Sequence, residues 1–327
     1  MQPAFSIITP TYQRPYLLQR ALRSVVHQTF KDFECIVVDD AGDPDTVKIV
    51  KQFNDERIIL VRHSQNRGTS AACNTGIKAA RGKLISILDD DDEYHPDFLK
   101  KMHIFFQTAP PHIGFAWAGI RRVKDLHEDE VILSERIWPA RFPNREAAYI
   151  AATTIGNGFG LTMKRECLDA VGLYNESFRV CVDTEHLFRL ARTFDFAAIP
   201  DVLVKIHRHA SGQLTDPEKY SLRLELHQQI LESNADFIAP YPELFRVHAQ
   251  RLAELSYLLK QNRKGRKMLI DIWRRQPWRI TVFADMICYE WFGADAVSCA
   301  LKIKGRIFPA RTRKTGPQWT HIRQRLS

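Results

Sequence analysis

Long apolar sequence is what this 327-residue chain has least of: no run of about 18 apolar residues occurs, the length a membrane-spanning helix needs. The N-terminus shows no basic stretch followed by a long apolar core, so neither a signal peptide nor a membrane span is expected. Cysteine is sparse too. Cys35, Cys73, Cys167, Cys181, Cys288 and Cys299 stand far apart with no C-x-x-C pair, which argues against a disulfide scaffold or a zinc module and fits a reducing compartment. No segment repeats, so solenoids and propellers fall away. With 45% apolar and 26% charged residues, the disordered and low-complexity classes are excluded as well.

Acidic residues are missing from one region. From Lys302 onward the chain carries Lys302, Lys304, Arg306, Arg311, Arg313, Lys314, Arg323 and Arg325 and no acid, so the net charge of +9 is mostly a C-terminal tail. Just before it, Trp273, Trp278, Phe283, Trp291 and Phe292 mix with Arg274, Arg275 and Arg279. That mixture suits an amphipathic helix on an anionic bilayer surface. Simple packing with a solvated tail accommodates it too, and Asp285, Glu290 and Asp295 argue against a span. Nucleic acid is not an expected partner.

The first 120 residues alternate short β-rich runs with helical patterns, the mark of a parallel sheet wrapped by helices. Phe5–Ile8, Cys35–Val38, Ile58–Val61 and Leu84–Leu88 read as strands, with helices after Pro15, from about Thr46, from Thr69 and after Pro96. Thr69 and Ser70 offer N-cap side chains. Gly114 to Gly160 is mixed, Asp183–Thr193 helical, Phe196–Ile206 strand-like, and the remainder helical. A boundary is placed near Thr215, giving residues 1–215 and a helical, basic extension over 216–327.

Two strands end on acids. Asp39-Asp40 follows Val37-Val38, and Asp89-Asp90-Asp91-Asp92 follows Leu84–Leu88, at the strand ends where open α/β sheets gather ligands. Four successive carboxylates repel unless something positive lies among them, and Mg²⁺ or Mn²⁺ answers that need. Read alone, the run also fits a solvated acidic turn capping the next helix. Asp39-Asp40 suits a base N–H or a ribose hydroxyl, or simply a turn. Asn66-Arg67-Gly68 sets a cation and flexible backbone at a helix start, a place for an anion. Asp183 in Val182-Asp183-Thr184-Glu185 reads by itself as a helix cap, and His207-Arg208-His209 as a metal ligand plus phosphate clamp or as inert surface.

Taken together, Ser6–Arg14, Asp32–Asp40, Asn66–Gly76, Gly82–Asp92 and Gly172–Leu190 resemble, in order and spacing, the family 2 glycosyltransferases of the A-type fold, over about Phe5 to Thr215. The resemblance implies an α/β, Rossmann-like mixed sheet with flanking helices and an inverting transfer from a nucleotide-diphosphate sugar to a hydroxyl acceptor. It places Thr9, Thr11, Tyr12, Arg14, Asp39, Asn66, Arg67, Gly68, Asn74, Asp89 and Asp90 around the donor, with Asp91 and His209 at a Mn²⁺ or Mg²⁺ ion. Asp183 stands at the general base, and His207 and Arg208 fall in a loop that closes over the donor. The family commonly has Glu before that base, where this chain has Val182. Surface polysaccharide or glycolipid synthesis, a cytoplasmic site peripheral to the inner membrane face, and a possible homodimer complete the expectation. A nucleotidyltransferase would show a glycine-rich basic loop after the first strand, where Thr9-Pro10-Thr11-Tyr12 stands instead. A non-catalytic nucleotide-sugar-binding or scaffold protein of the same fold is the other alternative.

Overall fold

The computed structural model describes residues 2–126, 129–208 and 217–307. In β1 (Phe5–Thr11) and β2 (Phe33–Asp39) every residue is buried, as befits strands covered on both faces. Between them α1 (Pro15–Val26) starts on proline, whose missing N–H leaves nothing unpaired in a first turn, and buries Leu18, Ala21, Leu22 and Val25 along one side. α2 (Pro44–Gln52) repeats the proline start and is capped by Asp43, which accepts from the Asp45 amide at 2.8 Å. β3 (Ile58–Arg62), α3 (Thr69–Ala79) and β4 (Leu84–Ile87) follow. α3 carries no side-chain cap from Thr69 or Ser70. Its N-cap is Gly68 at φ 89°, a backbone that glycine adopts freely, and Ser70 instead donates to the Phe178 carbonyl at 2.8 Å.

The second half contains β5 (Asp92–Tyr94), α4 (Phe98–Thr108), β6 (Ile113–Leu126), β7 (Asp129–Arg136) and α5 (Arg145–Thr154). β8 (Thr162–Lys164), α6 (Arg165–Val171), α7 (Val182–Thr193) and β9 (Asp195–Arg208) complete it. The strand order is β3-β2-β1-β4-β8-β6-β9-β5, with β7 paired to β6. β1, β2, β3 and β4 are mutually parallel, whereas β8 runs antiparallel to β4 and β6. β5 is the strand that matters for the site. It opens on Asp92 and pairs antiparallel with β9, Asp92 opposite Ile206, so the acidic run is tied to residues 204–206 by backbone.

Beyond a single 3₁₀ turn lie α8 (Tyr220–Ser233), α9 (Ala235–Ile238), α10 (Pro242–Leu258), α11 (Asn262–Arg275) and α12 (Ile280–Ile307). Leu226, Ile230, Ile238 and Leu244 join the main core, while Ala253 and Tyr257 start a second one with Leu269, Ile272, Val282 and Tyr289. The handover between cores falls inside α10; the expected boundary at Thr215 lies outside the described residues. Among the described residues no helix is long and apolar enough to cross a membrane.

Candidate active site

A cleft of about 500 Å³ opens at the C-terminal ends of β1, β2 and β4, the ligand position of open α/β sheets. Thr11, Tyr12, Arg14, Asn66, Gly68 and Asp89 to Asp92 line it, together with Asp40, Arg179 and Lys219. β1 and α1 hold the acidic run in place. The Thr11 hydroxyl donates to Asp90 at 2.7 Å, and Arg14 reaches Asp90 and Asp91 at 3.2 Å each. Arg20 donates to the Asp91 carbonyl at 2.8 Å.

Asp89, Asp91 and Asp92 bring carboxylate oxygens within 4.8 Å of one another. Burial, then the charges of Asp91, Asp90 and Asp183, push the Asp89 carboxyl up to about 8 against the opposing pull of Arg14. Burial pushes Asp92 well above the carboxylate range, reinforced by Asp91 and Asp89. Asp90 rises to about 6, burial outweighing Arg14. Crowded hard oxygens short of positive charge fit a divalent cation such as Mn²⁺ or Mg²⁺. A second group, Glu93, Glu130 and His207, does not: the Lys205 ammonium already lies 3.0 Å from Glu130 and 3.8 Å from Glu93.

The crowding has a sign in pH. Carboxyls raised in the folded state hold more protons there than in the unfolded chain between roughly pH 4 and 8. Chelator-treated protein is therefore expected to lose melting temperature as pH rises through that window, and Mn²⁺ to restore more of it at the alkaline end. A flat profile in chelator would refute the crowding.

A turn over Asn157–Phe159 links the acids to Asp183. A Cβ on Gly156 would stand 2.7 Å from Asp183 Oδ2, and one on Gly158 would stand 2.6 Å from Asp92 Oδ2 and 3.1 Å from Asp89 Oδ2. One turn thus lies against both groups of carboxylates, close enough that an added Cβ would have to push them aside. Gly158→Ala should displace the Asp89 and Asp92 carboxylates and reduce turnover by about 10²-fold, the scale of a 1 Å misplacement. Unchanged kcat in a folded variant would show that those positions are not critical.

Asp183 lies in the first turn of α7, whose N-cap is Cys181 in the left-handed region at φ 56°; Asp183 is not the cap. Its Oδ1 accepts from the Thr184 amide at 2.8 Å. Burial raises its pKa, and the Thr184 amide and the charges of Arg251 and Arg223 draw it part of the way back. Those arginines come from α10 and α8, so the C-terminal helices tune this carboxylate.

The sequence profile described as Glycosyl transferase family 2 matches residues 6–166. Residues 6–166 belong to that family. It is 39% identical over 94 residues to the GalNAc(5)-diNAcBac-PP-undecaprenol beta-1,3-glucosyltransferase of Campylobacter jejuni, 28% of this chain and 30% of that one. The chain thus spans under a third of that relative's length. TarS of S. aureus (residues 1–349), solved with UDP-GlcNAc, matches with a TM-score of 0.58 at 16% identity, covering 84% of this chain and 82% of that one. The mannosyltransferase PcManGT of Pyrobaculum calidifontis, solved with GDP-Man and Mn²⁺, matches with a TM-score of 0.56 at 17% identity, covering 94% and 88%. At such identities the two structures show the fold, the A-type glycosyltransferase fold.

Within this family 2 domain, several expected donor contacts turn away from the cleft. Thr9 is fully buried, its hydroxyl 4.0 Å from Cys35 Sγ. Asp39, also fully buried, accepts from Arg62 and from the Gly42 amide at 2.7 Å each, and its neighbour Asp40 borders the cleft instead. Asp40 accepts from the amides of Arg67 and Gly68 at 2.8 and 2.7 Å and so shapes the loop before α3. The Arg67 guanidinium reaches Glu176 at 3.2 Å. Asn74 clips the 174–176 loop, donating to the Tyr174 carbonyl and Glu176 and accepting from the Tyr174 amide.

His207 borders the cleft, but its ring is no clamp. Nε2 lies 2.6 Å from Glu93 and Nδ1 3.1 Å from Asp125, which fastens β9 to β5 and β6. Its amide donates to Asp92 at 3.2 Å. Arg208 is exposed at the end of β9, and His209 lies outside the described residues. Arg179 and Lys219 line the cleft without any motif to announce them.

Proposed function

We propose that this chain transfers a sugar from a nucleotide-diphosphate sugar to a hydroxyl acceptor with inversion, Asp183 acting as general base. The observation that carries it is the Gly156–Gly158 turn, which joins Asp183 to the Asp89–Asp92 cluster across one stretch of backbone. On this reading Asp183 accepts the proton of the acceptor hydroxyl as that oxygen attacks the anomeric carbon and the nucleoside diphosphate departs. Asp91, with Asp89 and Asp92 beside it, would hold a divalent ion, which would supply Lewis-acid stabilisation of the diphosphate leaving group. Arg14 keeps the acidic run in register, and Arg179 and Lys219 present positive charge along the diphosphate path. Tyr12, 41% exposed at the rim, offers an aromatic face to the base.

The acceptor is proposed to be a glycan or lipid-linked saccharide of the cell surface, in keeping with a relative whose name specifies an undecaprenol-linked substrate. Work at the inner face of an anionic membrane, from the cytoplasmic side where soluble donors are made, and as a homodimer, is proposed on the same terms. The test is a melting-temperature panel of UDP, GDP, CDP and dTDP with and without Mn²⁺. A Mn²⁺-dependent rise for one nucleotide supports the reading and assigns the donor class. No rise for any, in folded protein, favours a scaffold.

A further inference from the structure

α12 packs one apolar side inward and leaves a second apolar side exposed. Val282, Tyr289 and Val297 pack into the second core. Asp285 accepts from Gln250 of α10 at 2.9 Å, and Glu290 accepts from the Tyr257 hydroxyl at 2.5 Å and from Arg266 of α11. Two of the acids that break up the aromatic sequence, Asp285 and Glu290, are thus engaged by neighbouring helices, while Asp295 is exposed. Outside, at intervals of three and four residues, stand Ile280 (78% exposed), Phe283 (44%), Ile287 (45%) and Trp291 (80%). Trp278 (71%) precedes this stripe and Phe292 (68%) flanks its end. A surface helix ordinarily shows polar residues on its outer side, and a continuous exposed apolar stripe marks a contact surface. It stops where Gly293 leaves helical geometry at φ 53° and ψ −132°.

The charges around the stripe indicate what covers it. Arg274 and Arg275 are exposed beside Trp273 and Trp278, and from Lys302 onward the sequence carries Lys302, Lys304 and Arg306 without an acid. Cations flanking an apolar stripe with tryptophan at both ends match an anionic bilayer interface, where indole rings sit at headgroup depth and cations meet lipid phosphates.

We propose that residues 278–292 lie in the plane of an anionic bilayer, with Ile280, Phe283, Ile287 and Trp291 inserted among the acyl chains. This rests on the membrane reading above and assigns it a face. The full chain should float with phosphatidylcholine vesicles containing phosphatidylglycerol, and the Ile287→Asp/Trp291→Asp variant should bind them at least about ten-fold more weakly. Ile104→Asp, at an exposed apolar position on α4, controls for the added charge and should still float. Cys288 is exposed beside the stripe, so an environment-sensitive dye placed there in a Cys299→Ser background should shift to the blue on vesicle addition.

If the wild type floats and the double variant floats equally well, the basic tail does the holding, which overturns the assigned face and leaves the membrane reading standing. A wild type that never floats overturns both. Should that protein be a dimer that the double variant converts to monomer, a second copy covers the stripe instead.

Discussion

Asp183→Asn should reduce kcat by roughly 10²–10⁴-fold, the contribution of a positioned base, with the nucleotide-induced rise in melting temperature intact. Loss of rate without loss of donor binding separates a base from a binding residue, and a variant within a few-fold of wild type would remove Asp183 from the mechanism. The pH profile adds a finer readout. A base must be ionised to act, so the acidic limb of kcat/KM follows the Asp183 pKa, which burial already raises and Arg251 lowers. Arg251→Met removes a charge that favours the ionised form and should move that limb to higher pH. A limb that stays in place, or moves down, would disconnect α10 from the base.

Asp91→Ala should abolish the Mn²⁺-dependent stabilisation by nucleotide. For wild type at about 100 times Kd that stabilisation is about 2.7 kcal/mol, or roughly 5–10 °C for a domain of this size; the variant should show almost none. Asp90→Asn makes the contrast. Asp90 is tied to Thr11 and Arg14 inside the fold and its raised carboxyl adds to the crowding, so Asp90→Asn should relieve part of the loss of metal-free melting temperature at the alkaline end while much of the Mn²⁺ response survives. If instead Asp90→Asn loses the response and Asp91→Ala keeps it, the assignment of roles within the run is reversed.

The reach of sequence reading differs by region. Strands of the first half were legible because Cys35–Val38 and Leu84–Ile87 are short apolar runs ending on acids, and α1 was legible because Leu18, Ala21, Leu22 and Val25 recur at helical spacing. β5 and β8 escaped notice at three residues each, since such pieces have no periodicity and exist through their partners. Donor contacts carried over by motif fared unevenly for the same reason. Thr11 and Arg14 face the acids, whereas Asn74 was chosen from a motif whose side chain closes on a loop 100 residues away.

By itself the sequence determined the alternation of strands and helices, the acidic strand ends and the family, because these depend on local patterns and on motifs in order. Tertiary structure decided which carboxylates crowd together, which residues leave the cleft for the core, and that α12 keeps a second apolar side facing outward. Each of those outcomes depends on a partner distant in the chain: β9 opposite Asp92, Gly156 against Asp183, and α10 and α11 drawing in Asp285 and Glu290 of α12.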